Sequence, residues 1–146
     1  VRTRSILCST AVLFAALACA KRPQIAPEAA TVRFTSTMRA SQVLDASVSA
    51  LKTWAHFSIS RGRSHVYALH TRVYEMGPHP VAGEVFSFVE RVAFVVTAVQ
   101  VRDSTRVTIV PRRVGAGDWL PLGEREVRLA RRLATRIQKE LAVPTS

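Results

Sequence analysis

Apolar and polar positions along this chain fall into three patterns: one long apolar run, alternation with a period of two, and recurrence every three or four residues. The apolar run covers residues 6–17, with Ser9 and Thr10 within it. Alternation appears first at residues 31–38, where Val32, Phe34 and Ser36 share one face and Arg33 and Thr35 the other. Such a period predicts a short, half-buried strand. Helical recurrence follows: Leu44, Val48, Leu51 and Ala55 lie on one stripe, with Asp45 and Lys52 off it. This predicts an amphipathic helix of about four turns, capped by Ser41, starting at Gln42 and ending near His56.

Alternation then resumes at residues 57–60 and 64–74, on either side of Arg61-Gly62. Tyr67, Leu69, Thr71 and Val73 fall on one face, and Val66, Ala68, His70 and Arg72 on the other. The two segments read as a hairpin. Two glycines and two prolines make residues 77–83 a loop. Residues 85–101 are rich in Val and Phe and read as a strand so long that a break or bulge is expected near Glu90-Arg91. A turn at 102–105 leads to a strand at 106–110, with Pro111 at its end. Residues 114–123 are irregular.

The strongest helical signal covers residues 124–141. Glu124 and Glu126 stand in its first turn and Lys139 in its last, which suits the helix dipole. At about 100° per residue, Val127, Ala130, Ala134, Ile137 and Leu141 share one face. Arg125, Arg128, Arg132, Arg136 and Lys139 crowd into an arc of about 80° opposite. The fold class is therefore α+β: an antiparallel sheet of four or five strands with two helices on one face, in the order β-α-β-β-β-β-α.

The apolar run carries targeting information. Arg2 and Arg4 precede it, and Ala18-Cys19-Ala20 and then Lys21-Arg22-Pro23 follow. Basic, apolar and small-residue segments in that order make a secretory signal. The run is shorter than the roughly 20 apolar residues of a spanning helix. Residues 16–19, Ala-Leu-Ala-Cys, resemble the lipobox of bacterial lipoproteins. That resemblance implies cleavage before Cys19, after its thiol has been linked to diacylglycerol, so that Cys19 is the mature N-terminus and carries acyl chains. It also implies the outer membrane, where the cell has one, because Ala20 replaces the aspartate of the inner-membrane retention signal. Leu17 stands one place closer to the cysteine than in the commonest form. Cleavage after Ala20, by the A-x-A rule, is the competing reading. The expected organisation is a signal peptide at 1–18, a lipidated tether at 19–30 with Pro23 and Pro27, and one domain at 31–146.

Charge narrows the partners. The formal net charge is +11, and Lys21, Lys52 and Lys139 are the only lysines, so arginine supplies nearly all of the positive charge. A GC-rich genome explains that bias, and so does recognition of phosphate by guanidinium forks. For an exported chain, nucleic acid is not an expected partner. Anionic lipid headgroups or an acidic envelope protein are. The row Arg125, Arg128, Arg132, Arg136 and Lys139 is the candidate surface, against the plainer reading of a solvated helix face. With Cys8 in the signal and Cys19 acylated, no disulfide is available.

Catalytic chemistry is hard to assemble. His56, His65, His70 and His79 show no metal-ligand spacing, and His65 and His70 fall on opposite faces of one strand. No nucleophile elbow, zinc-protease or P-loop pattern occurs. Gly115-Ala116-Gly117-Asp118 lacks the third glycine of a nucleotide fingerprint, and Glu84 and Glu90 have no evident pairing. No metal, cofactor or catalytic residue is expected. The element order resembles the helix-grip arrangement. It is also similar to the repeated domains of the lipoprotein C component of the outer-membrane β-barrel assembly machine. With the lipobox and without a catalytic pattern, the expected function is a non-catalytic, lipid-anchored binding or assembly module facing the periplasm. The alternatives are a carrier of a small apolar ligand, lined by Tyr67, Phe86, Phe88, Phe94 and Trp119, and an enzyme of unknown class.

Overall fold

A computed structural model of the chain describes residues 24–76, 86–114, 119–120 and 122–143, with backbone alone at 72–76, 86–90 and 119–120. The expected signal peptide, Cys19, the loop at 77–83 and the glycine-rich residues 115–118 lie outside the described residues. The elements run α1 (Pro27–Ala30), β1 (Val32–Ser36), α2 (Ala40–Lys52), β2 (Ser58–Arg61), β3 (His65–Met76), β4 (Phe86–Val101), β5 (Ser104–Val114), β6 (Trp119–Leu120) and α3 (Glu124–Leu141). The sheet is antiparallel throughout, in the spatial order β1-β5-β4-β3-β2, with β6 also paired to β5. This is the α+β class that the patterning predicts, with a short leading helix and a two-residue strand added.

Alternation decides which side of the sheet is covered. Val66 and Ala68 of β3, Val92, Phe94, Val96 and Ala98 of β4, and Val107 and Ile109 of β5 are buried. They meet Val43, Leu44, Ala50 and Leu51 of α2 and Ala130, Leu133, Ala134 and Ile137 of α3 in one core. Val32 and Phe34 of β1 and Ile59 of β2 pack on its margin. Burial of this apolar surface is the main stabilising term, at about 25 cal/mol per Å². Both helices thus lie on one face.

Several boundaries differ from those expected, each for a local reason. Helix α2 begins at Ala40 after an N-cap at Arg39, not at Gln42 after Ser41. The Arg39 N–H donates to Gln42 Oε1 at 3.0 Å, and the Ala40 N–H donates to Gln100 Oε1 at 3.2 Å. Two amide oxygens therefore satisfy the first helical donors in place of a serine hydroxyl. The helix stops at Lys52, short of His56. Its buried face is Val43, Leu44, Ser47, Ala50 and Leu51, and Ser47 is tolerated there because its hydroxyl donates to Val43 O at 2.7 Å.

Strand β4 carries no bulge against β3: the register runs unbroken from Met76↔Phe86 to His65↔Thr97. The long strand stays regular because β3 matches its length. At Arg91 the change is instead the start of pairing with β5, at Arg91↔Val114. Pro111 does not end β5, which continues to Val114. On its outer side β5 pairs with β1 up to Ile109 and with β6 from Arg113. Pro111 occupies the interval between them, where a missing N–H breaks no outer ladder bond. Residues 25–30, expected as tether, are held on the domain. The Ile25 N–H donates to Leu122 O at 3.0 Å, and Ala30 is fully buried.

Candidate binding surfaces

Helix α3 keeps the bounds that its sequence predicts, but its buried face is rotated. Glu126, Ala130, Leu133, Ala134 and Ile137 are buried, while Val127 and Leu141 are only half-buried. The centre of that face lies about 40° from the predicted stripe, toward Leu133, which the stripe omitted. Leu133 and Leu129 widen the apolar arc and draw the helix round. Glu126 is tolerated inside because it sits at the helix N-terminus and its Oε2 accepts the Gly123 N–H at 2.8 Å.

The rotation splits the basic row. Arg128 and Lys139 stand farthest from the sheet and are exposed. Arg128 reaches Glu124 at 3.7 Å, a loose pair between exposed side chains that contributes little. Arg132 and Arg136 turn to the flank, toward the end of α2. Each guanidinium carbon lies 5.6 Å from the centroid of the Trp54 ring. Arg125 is exposed and already interacts with another group. The five cations therefore do not form one uniform free row.

Trp54 anchors an aromatic group that closes this end of the core. Its ring is 5.7 Å from Phe57 and 5.9 Å from Phe94, and Phe57 is 5.2 Å from His70. All three contacts are tilted, as ring quadrupoles favour. His70 Nδ1 lies 3.0 Å from His56 O, so Nδ1 carries the proton and donates it. Sequence reasoning passed over this group, although Trp54 and Phe57 flank the predicted helix end.

The proposed carrier lining does not converge on one side. Phe94 is in the core, whereas Tyr67 pairs with Val95 on the opposite face of the sheet. Phe86 and Phe88 hold register positions on the Phe94 side, and Trp119 pairs with Val114 on β5. Among the described residues, the space between sheet and helices is filled by Phe94, Leu44, Leu51, Ile109, Leu133 and Ile137, all fully buried.

One open hollow of about 570 Å³ lies at the start of α2, lined by Thr37, Arg39, Ala40, Ser41, Gln100, Arg102 and Asp103. Gln100 organises it. Its Nε2 donates to Arg102 O at 3.1 Å and Ser104 O at 3.3 Å, while its Oε1 accepts from Ala40. The single hydroxyl proton of buried Thr105 lies between two acceptors, Met38 O at 2.6 Å and Gln100 Oε1 at 2.9 Å. Arg102 opens the two-residue β4–β5 turn with φ 53°, in the left-handed region. These bonds join the turn to the helix.

His65 and His70 occupy opposite faces of β3, facing Thr97 and Val92 in the register. His79 and Glu84 lie outside the described residues. Among the described residues no group of three His, Cys, Asp or Glu could hold a metal ion. Among them, too, no helix is long and apolar enough to cross a membrane.

No family model matches the chain, and no curated protein matches it. A solved structure, that of a DUF4468 family protein from Bacteroides ovatus ATCC 8483, is similar to this chain at a TM-score of 0.39 and 10% sequence identity. The alignment covers 84% of this chain and 91% of that one.

Proposed function

We propose that this chain is a non-catalytic, lipid-anchored protein of the cell envelope that acts as a binding or assembly module. The observation that carries the reading is the order of its first residues: Arg2 and Arg4, the apolar run 6–17, and Ala-Leu-Ala-Cys ending at Cys19. Acyl groups on Cys19 hold the domain at a membrane, the outer membrane where the cell has one, facing the periplasm. More than one acyl chain is needed, since a single one anchors only marginally. Since Ile25 is bonded to the domain, the anchored thiol is separated from it by few residues. The domain therefore works close to the headgroups.

Close to that surface the basic side of α3 acquires a role. Arg128 and Lys139 point away from the sheet, with Arg125, Arg132 and Arg136 on the flank. Near an anionic surface each basic side chain contributes about 1 kcal/mol. Arg128 and Lys139 lead the docking of the domain on anionic headgroups or on an acidic envelope protein.

Cys19→Ser tests the anchor. It should abolish labelling by palmitate, and mass spectrometry of the natural protein should find acylated Cys19 at the N-terminus. A natural N-terminus at Lys21, or labelling that survives in the variant, would sink the proposal. Docking is tested separately, with vesicles containing phosphatidylglycerol across a salt series. Affinity should fall as salt rises, and Arg128→Glu with Lys139→Glu should weaken it. Binding indifferent to salt and to both reversals would leave the helix row a solvated face.

A further inference from the structure

The face of the sheet turned away from α2 and α3 has a composition of its own, independent of the N-terminal anchor. The register places Tyr67, Val95 and Val110 in one row across β3, β4 and β5, and Leu69, Ala93 and Arg112 in the next. Val99 and Val101 extend this apolar strip and are 50% and 39% exposed. No described helix packs on it. Cations surround the strip: Arg33 on β1, Arg91 on β4 and Arg106 on β5, all exposed. Arg112 adds a fourth, half-buried and already engaged with another group.

Arg33 stands opposite Thr108, and Arg106 opposite Thr35, so the two arginines are diagonal neighbours. Diagonal positions are about 7–8 Å apart, within reach of long side chains. Like charges so placed repel. Among the described side chains of this face there is no Asp or Glu to offset them; Glu75 holds a register position on it, opposite Ser87 and away from Arg33 and Arg106. The chain has 10 carboxylates against 21 Lys and Arg, so it is short of acidic surface of its own.

We propose that this open sheet face is a docking surface for an acidic protein partner, one presenting an apolar centre edged by carboxylates. Charge decides between occupants. A second copy in a two-fold arrangement would set these arginines against the same arginines. A lipid surface suits the charge but not the strip. Thr35, Thr71, Thr97 and Thr108 lie on the same face, and acyl chains would leave their hydroxyls without hydrogen-bond partners. A protein interface supplies such partners directly or through water. Val99 and Val101 then form the apolar contact, and Arg33, Arg91 and Arg106 its charged edge.

The test uses the ¹⁵N-labelled full chain with Cys19→Ser, titrated with a short soluble peptide in which Glu alternates with Val and Tyr. Amide shifts should concentrate at Tyr67, Val95, Val99 and Val110. Arg33→Glu with Arg106→Glu should weaken the affinity by about tenfold or more, equivalent to about 1.4 kcal/mol. Lys52→Glu with Arg131→Glu, at two exposed positions on α2 and α3, makes the same change in net charge on the helix side and should weaken it by less than about threefold. Val99→Ser keeps the charge and should also weaken binding. Three results would overturn the proposal: no binding, shifts centred on α3, or equal losses from the two double reversals. Phosphatidylglycerol vesicles and polyuridylate are parallel arms, and stronger perturbation of this face by either would assign it to lipid or to nucleic acid instead.

Discussion

Replacing Trp54 with Ala is the most informative single perturbation of the layer between α2 and α3. Trp54 is half-buried and sits just beyond the last turn of α2, against Phe57 and Phe94 on one side of the contact and Arg132 and Arg136 on the other. A fully buried Trp→Ala change costs about 3–5 kcal/mol. Partial exposure lets water enter the space, so the burial loss here is about 2 kcal/mol. The two ring pairs add about 1 kcal/mol together. Two partly solvated guanidiniums over the ring add about another 1 kcal/mol. These contributions overlap, and the expected loss is about 3 kcal/mol, a large share of a marginal stability.

Urea unfolding followed by far-ultraviolet circular dichroism measures the loss without depending on tryptophan emission. The midpoint should fall with the slope unchanged. A double-mutant cycle then isolates the arginines. Trp54→Ala combined with Arg132→Gln or Arg136→Gln should cost less than the sum of the single changes, by about 0.5–1 kcal/mol for each arginine. Strict additivity would show that the guanidiniums do not use the ring. A loss below about 1 kcal/mol for Trp54→Ala would remove the aromatic group from the account of how the helices are held.

Three further outcomes follow from the geometry. Ile137→Asp places an unpaired charge in the core and should destabilise the domain by several kcal/mol in the same assay, whereas an unchanged midpoint would mean that α3 does not dock. Gln100→Ala removes one helix cap and three further hydrogen bonds and should cost about 2 kcal/mol, with faster amide exchange at Ala40; unchanged exchange there would refute the cap. Arg102→Gly should match or exceed the parent in stability and Arg102→Ile should fall about 1 kcal/mol or more below it, because only glycine enters the left-handed region freely; equal melting temperatures for the two variants would contradict that reading.

What could be read in advance was what depends on neighbours in sequence. The bounds of α3 follow from its apolar recurrence and terminal charges, and the β2–β3 hairpin from alternation on either side of Arg61-Gly62. What could not be read depends on distant residues. Gln100 supplies the cap of α2 from 60 positions away in sequence, so Ser41 looked like the better local choice. Pro111 is harmless only because β1 and β6 leave an interval along β5. The five cations of α3 share one arc on an isolated helix. Leu129 and Leu133 shift the docked face, and Trp54 then selects two of the five.

The pairing of β1 with β5 has a consequence for how the chain assembles. Strands β2, β3, β4 and β5 follow one another as hairpins and can zip from neighbour to neighbour. Strand β1 cannot join them early: Val32 finds its partner only in Ile109. A nascent chain must therefore hold β1 unpaired until β5 has been synthesised, and closing so long a loop slows the search. The bridge from Ile25 to Leu122 comes later still. A ribosome-arrest series should find Phe34 protected only in chains long enough to expose Val114, so the first strand made is among the last to become native.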